Sequence, residues 1–175
     1  MAWTAPRTWV VGELVTAAIM NTHIRDNLTF LHPAPAARVY HNANQNVNHN
    51  TVTTLAFNSE RYDNDSIHDN AVNNSRLTCK TAGKYLIVGQ VQWTVNATGE
   101  REAYIYLNGS TLIGGNAFQT GAVGGDAFNN VSTVYDLSVN DYVELQVFQL
   151  SGGALNAIYS AAQEFTPEFM MVMVG

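Results

Sequence analysis

Apolar residues follow two different periods along this chain. Near the N-terminus Met20, Ile24, Leu28 and Leu31 recur at spacings of 4, 4 and 3, as one face of a helix requires. Thr16 stands ahead of them where an N-cap belongs. The spacing predicts a helix over about 16–31, with Asn21, Arg25 and Asn27 on its other face. A helix of about four turns is marginal in water unless its apolar stripe packs against something. Ahead of it, residues 1–12 place Trp3 and Trp9 around Pro6 and Arg7, too short to fold alone and too apolar to leave in solvent. Residues 1–31 are therefore expected to anchor the chain or to make a subunit contact, through Trp3, Trp9, Met20, Ile24, Leu28 and Leu31.

His32-Pro33-Ala34-Pro35-Ala36-Ala37 ends the helical pattern, since alternating prolines favour extended backbone. Residues 32–37 are the expected linker and 38–175 the body. There the period becomes two. Tyr85, Ile87, Val91, Trp93 and Val95 fall on one face of a long strand and Gln90, Gln92 and Thr94 on the other. Glu102 to Leu107 turns Ala103, Ile105 and Leu107 one way and Tyr104 and Tyr106 the other, then meets Asn108-Gly109, a strong hairpin signal. The paired outward tyrosines point to an interface. A Gly-rich loop over 114–125 is expected before a strand near 128–135, and Asn140-Asp141 turns the chain into 142–150, where Val143, Leu145 and Val147 alternate. Phe169 to Val174 is apolar on both faces and needs cover on both, which adds Phe169, Met171 and Met173 to the interface expectation. Strands at short intervals with turns between them predict an all-β antiparallel sandwich, a jelly roll carrying one short N-terminal helix.

Composition narrows the function classes. The chain has 175 residues, 46% hydrophobic and 13% charged, with net charge -6. Its lysines are Lys80 and Lys84, so no basic face is available for phosphates, and nucleic acid is not an expected partner. No apolar run approaches the ~20 residues of a membrane helix. No leader pattern opens the chain, so synthesis in a host cytoplasm without membrane insertion is expected. The lone Cys79 is expected to be a buried free thiol.

Catalytic and metal signals are weak. Asp63, Asp65 and Asp69 put three carboxylates in seven residues, a calcium candidate by oxygen density. No glycine stands at the sixth place of a calcium loop begun at Asp63, and Asn74 occupies the place of its last acidic ligand, so a solvated acidic loop is the favoured reading. The five histidines show no ligand spacing. With no nucleophile elbow, phosphate loop or evident acid pair, neither an enzyme nor a cofactor is expected.

Residues Phe57, Asp63, Leu77, Gly83, Tyr85 and Ile87, followed by Tyr106-Leu107-Asn108-Gly109 and Tyr135-Asp136-Leu137 with Asn140 to Leu145, resemble the C1q domain signature. The interval before Leu77 is about two residues longer than that signature's. The resemblance spans about 38–175 and implies a C1q/tumour-necrosis-factor-like jelly roll and a tight homotrimer, in which Tyr104, Tyr106 and the last strand would be buried. The opening Trp3-Thr4-Ala5-Pro6-Arg7-Thr8-Trp9, Gly12-Glu13, Val15-Thr16-Ala17 and Met20 to Leu28 resembles the front segment of tailed-phage structural proteins. Together the two resemblances imply a virion fibre, spike or head-decoration subunit. It would be held to other virion proteins by residues 1–31 and display its β domain, with host glycans as a further partner. A free carbohydrate-binding or adhesive module is the alternative, with Phe118, Phe128 and Tyr159 as residues that could stack on sugars or fill the core.

Overall fold

The computed structural model describes residues 4–31, 33–120, 127–162 and 167–175, Leu31 by its backbone only. Thr16 is the helix N-cap, its Oγ1 accepting the Ile19 N–H at 3.3 Å. Behind this cap come α1 (Ala17–Met20), a π-helical stretch (Asn21–Arg25) and α2 (Asp26–Leu31). The Asp26 N–H reaches back five residues to Asn21 O, which widens the turn.

Twelve strands are described: β1 (Ala36–Tyr40), β2 (Gln45–Val47), β3 (Thr53–Thr54), β4 (Ser59–Asp63), β5 (Arg76–Thr78), β6 (Gly83–Trp93), β7 (Glu100–Leu107), β8 (Thr111–Gln119), β9 (Ala127–Leu137), β10 (Tyr142–Gln149), β11 (Leu155–Ala157) and β12 (Glu168–Met173). They form two antiparallel sheets. In the first, β9 runs along the whole of one edge of β6, while β12, and β11 beyond it, take the other edge. The sheet continues from β12 through β1 to β4, and from β11 to β2. In the second, β10 pairs with β7, which pairs with β8, and the short β3 and β5 share the far edge of β10.

The alternation read in the sequence selects the core. Tyr85, Ile87, Val91 and Trp93 of β6 face Ala103 and Ile105 of β7 and Val143, Leu145 and Val147 of β10 in one buried cluster. Each Val or Leu side chain taken fully out of water there is worth roughly 1.5–3 kcal/mol. Phe57 stacks on Phe169 within it, ring centroids 5.8 Å apart. Cys79 is buried and free, as expected. Burial pushes its thiol above the usual cysteine range, and its Sγ donates to Thr81 O at 3.1 Å. Native protein is therefore expected to resist a thiol reagent such as Ellman's that labels the denatured chain at once.

Several sequence expectations shift. The expected loop over 114–125 is strand as far as Gln119, because β8 continues through Gly114 and Gly115 against β7; residues 121–126 lie outside the described set. The first strand already includes Ala36 and Ala37. At the other end of β6 the strand stops at Trp93, and Val95 turns into solvent because the chain bends through Asn96 to Gly99. The hairpin at Asn108-Gly109 is present, both residues at positive φ as its tight turn demands.

Gly99, at φ +74, holds that bend where an added Cβ would fall 1.8 Å from Leu150 O. Gly99→Ala therefore combines left-handed strain with a collision against backbone, and is expected to cost roughly 3 kcal/mol or more in urea denaturation. Gly152 also has positive φ, +88, but with open space around it. Gly152→Ala should cost only about 1–2 kcal/mol. Equal losses would contradict the steric reading.

Candidate functional site

The surfaces that can do something lie on the outside of the sandwich. Because side chains alternate, the residues of the first sheet that do not enter the core form cross-strand rows on its outer face. One row is Ala36, Val172, Leu86 and Val134, consecutive partners across β1, β12, β6 and β9. The next is Arg38, Met170, Val88 and Ser132. Val134 is 57% exposed, and Leu86, Val88, Met170 and Val172 each keep part of their surface in solvent. Five large apolar side chains on three adjacent strands thus form one outward patch, the kind of surface that marks an interaction site.

A third row, Tyr40, Glu168, Gln90 and Asn130, is polar. Glu168 is only 4% exposed. Arg38 Nε donates to its Oε2 at 2.6 Å and Arg61 Nε to its Oε1 at 2.7 Å. The Arg61 guanidinium also lies 4.7 Å from the centre of the Tyr40 ring. Two guanidiniums around a buried carboxylate stabilise the ion and fix the edge of the patch, because removing one side would leave a buried charge unbalanced.

The outer face of the second sheet differs. Tyr104 and Tyr106 meet edge to face, centroids 6.3 Å apart, and the Tyr104 hydroxyl donates to Glu102. Burial first, and the neighbouring Glu100 second, push the Glu102 carboxyl above its ordinary range. Arg76 covers the Tyr142 ring at 3.9 Å and its Nε donates to Glu144 Oε1 at 3.1 Å. This face is polar and already internally bonded.

The five residues expected at one interface therefore occupy three places. Tyr104 and Tyr106 are on the outer face of the second sheet, while Phe169 and Met171 point between the sheets. Met173 packs partly buried at the core's margin. Phe169 and Met171 leave no area for a subunit contact, and their strand offers Met170 and Val172 instead. The sequence did not separate these because every residue from Phe169 to Val174 is apolar. Leu86, Val88 and Val134 were also missed, although their alternation opposite the core positions of β6 and β9 could have found them.

The N-terminal arm is a second apolar surface. Its helical stretches follow one another without a break as one helix, Ala17–Leu31. Asn27, on the helix's supposedly polar face, is buried, and clamps the preceding segment: its Oδ1 accepts the Thr4 N–H at 3.0 Å and its Nδ2 donates to Thr4 O at 2.8 Å. Arg7 pairs with Glu13 and lies 5.1 Å from the centre of the Trp9 ring. Braced in this way, the arm leaves Trp9, Met20, Ile24 and Leu28 exposed, with Leu28 at 60%. Val10, Val11, Leu14 and Val15, to which the sequence pattern assigned no role, are exposed too. Trp3 and the Leu31 side chain lie outside the described residues.

The acidic loop does not gather its carboxylates. Asp63 accepts the backbone N–H groups of Asp65 and His68, Asp65 accepts from the Thr81 hydroxyl, and Asp69 caps Ala71 and Val72. The last two bonds hold the Asp69 carboxyl below its ordinary range. Among the described residues no three acidic, histidine or cysteine side chains converge on a point where a metal could sit. Excess calcium is expected to leave the melting temperature unchanged, and a rise abolished by Asp63→Ala would contradict that. Of the aromatics considered for sugar stacking, Phe118 packs against the core while Phe128 is partly exposed on the first sheet.

No protein-family model matches this chain, and no curated protein matches it. Solved structures do. The globular domain of zebrafish complement 1qA protein aligns with a TM-score of 0.54 at 14% identity, covering 81% of this chain and 98% of that one. Murine APRIL, in a crystal structure at pH 5.0, aligns with a TM-score of 0.60 at 10% identity, covering 80% and 98%. At these identities the likeness is one of fold, and the body is a C1q/TNF-like jelly roll.

Proposed function

We propose that the chain is a non-enzymatic, trimer-forming structural subunit of a tailed-phage particle, a fibre, spike or head-decoration protein whose N-terminal arm attaches a displayed jelly roll to other virion proteins. The observation that carries it is the outward apolar row Ala36, Val172, Leu86 and Val134 beside Met170 and Val88. Apolar area of this kind gains roughly 25 cal/mol for each Å² removed from water, and closed cyclic symmetry lets every copy bury the same patch. The C1q-like signature supports three as the number of copies. The opening segment's resemblance to phage structural proteins supports the virion as the place, and its exposed apolar residues supply a surface for attachment.

Gold-labelled antibody against the chain, applied to purified particles in the electron microscope, tests the reading. Labelling at regular positions on the particle is expected. Purified particles that lack the chain would overturn it. The alternative, a free carbohydrate-binding module, rests on the partly exposed Phe128 and Tyr62, whose rings could stack on sugars. It gains ground only if a glycan array gives binding that Phe128→Ala abolishes.

A further inference from the structure

Where the second sheet meets the loop over 64–75, internal bonding is incomplete. A cavity of about 440 Å³ opens there between that loop, β5 and the turn into β10. Backbone bonds hold its walls: Thr78 N–H donates to Ile67 O at 2.8 Å, Arg76 N–H to Asn73 O at 3.0 Å, and Asn140 N–H to Cys79 O at 2.9 Å. His68, whose side chain is buried, is fixed between Glu60 Oε1 and Asn74 O. A site formed before its ligand arrives loses little order on binding.

The side chains that line the cavity are polar and unspent. Among the described residues, the side chains of Ser66, Asn73, Thr78 and Asn140 make no hydrogen bond. Ser66, Asn73 and Asn140 stand at positive φ, 54, 52 and 75. Asparagine adopts such backbone readily and serine seldom, and backbone held there tends to gather where a site needs it.

Charge sharpens the picture. The chain carries net charge -6, and six of its eight basic residues each meet a carboxylate. Arg101 is buried against backbone carbonyls. Lys80 is left, exposed on the cavity and without an ion pair or hydrogen bond among the described residues. Arg76 lines the same cavity and spends only its Nε on Glu144. Asp69 lines it too, its Oδ1 accepting the Ala71 and Val72 N–H groups, and among the described residues no donor reaches its Oδ2.

These groups select a ligand. A bare anion would answer Lys80 but meet Asp69 as a like charge. A neutral sugar would leave Lys80 unanswered. A sugar acid satisfies both: its carboxylate takes Lys80, and its hydroxyls, each a donor and an acceptor, exchange hydrogen bonds with Asp69, Asn73 and Asn140. Val72, 65% exposed, offers an apolar contact to the C–H face of the ring. We infer that this cavity binds the carboxylate-bearing ring of an acidic sugar. The inference does not depend on the trimer, whose proposed contact is the outer face of the other sheet.

Amide nuclear magnetic resonance spectra of the full chain, titrated with galacturonate, glucuronate and N-acetylneuraminate, test it. At least one of these acids should shift the Asn73, Thr78 and Lys80 amides, with galactose, glucose and inorganic phosphate each binding about tenfold more weakly or worse. Lys80→Ala removes an exposed side chain outside the core, so its melting temperature should match the parent's while affinity for that acid falls about tenfold. Shifts absent with all three acids, unchanged affinity in Lys80→Ala, or a neutral sugar or phosphate that binds as tightly would overturn the site. Tighter binding of an oligoglutamate peptide would overturn it too, in favour of an acidic protein partner.

Discussion

Replacing Trp93 with alanine should leave the domain about 4–8 kcal/mol less stable or unfold it outright. Trp93 ends β6 on the core side and is fully buried. Its Nε1–H donates to Asn129 Oδ1 at 2.7 Å, and Asn129, also buried, donates in turn to Asn116 Oδ1 at 2.7 Å and to Arg101 O at 3.3 Å. The buried Arg101 guanidinium lies 5.9 Å from the centre of the indole ring while donating to Thr98 O and Glu100 O. Truncation to alanine opens a cavity, worth about 3–5 kcal/mol for so large a side chain. It also strands the Asn129 oxygen, at about 1–3 kcal/mol. Trp93→Phe keeps most of the volume and loses the bond, so a cost of about 1–3 kcal/mol is expected. With whole domains stable by only about 5–15 kcal/mol, the two variants are readily separated in urea denaturation followed by circular dichroism. An alanine variant within about 1 kcal/mol of the phenylalanine one would show that the indole is not packed as described.

Leu86→Asp is expected to turn the proposed trimer into folded monomers. Leu86 sits between Val172 and Val134 in the outward row, and its side chain points away from the core, so the substitution leaves the sandwich intact. In the trimer a carboxylate there would be buried three times over without a partner, at several kcal/mol each. Assembly should fall below detection while the far-ultraviolet circular dichroism stays that of the parent. Tyr106→Ala, on the polar outer face of the second sheet, should leave the mass unchanged. A trimer that survives Leu86→Asp and is lost in Tyr106→Ala would move the interface to the tyrosine face.

The long strands were legible in the sequence because alternation and turn chemistry agreed. Tyr85 to Trp93, Ala103 to Leu107 and Val143 to Val147 run over enough residues for a period of two to stand out, and Asn108-Gly109 fixes where one hairpin turns. Strands such as β2, β3, β5 and β11 have only two or three residues, too few to show a period. In β8 the paired glycines read as a loop, yet Gly115 is where the Tyr104 ring lies close on the backbone, 3.2 Å from where a Cβ would stand. The faces of β12 could not be told apart because both are apolar, and only its register against β6 and β1 turns Met170 and Val172 outward.

The candidate site was less legible for a different reason: its defining contacts are non-local. Glu168 meets Arg38 and Arg61 from 130 and 107 positions away, and Asn27 meets Thr4 from 23. No local pattern encodes such pairs. The exposed stripe Met20, Ile24 and Leu28 was legible because it lies within one helix, where spacing alone decides which residues share a face.

A trimer built on the outer face of the first sheet fixes the mass of the protein in solution, and that mass is the most direct test of the assembly. Sedimentation equilibrium over a wide concentration range should give three times the 19.1 kDa chain mass. A single species of 19.1 kDa up to the highest concentration would contradict it.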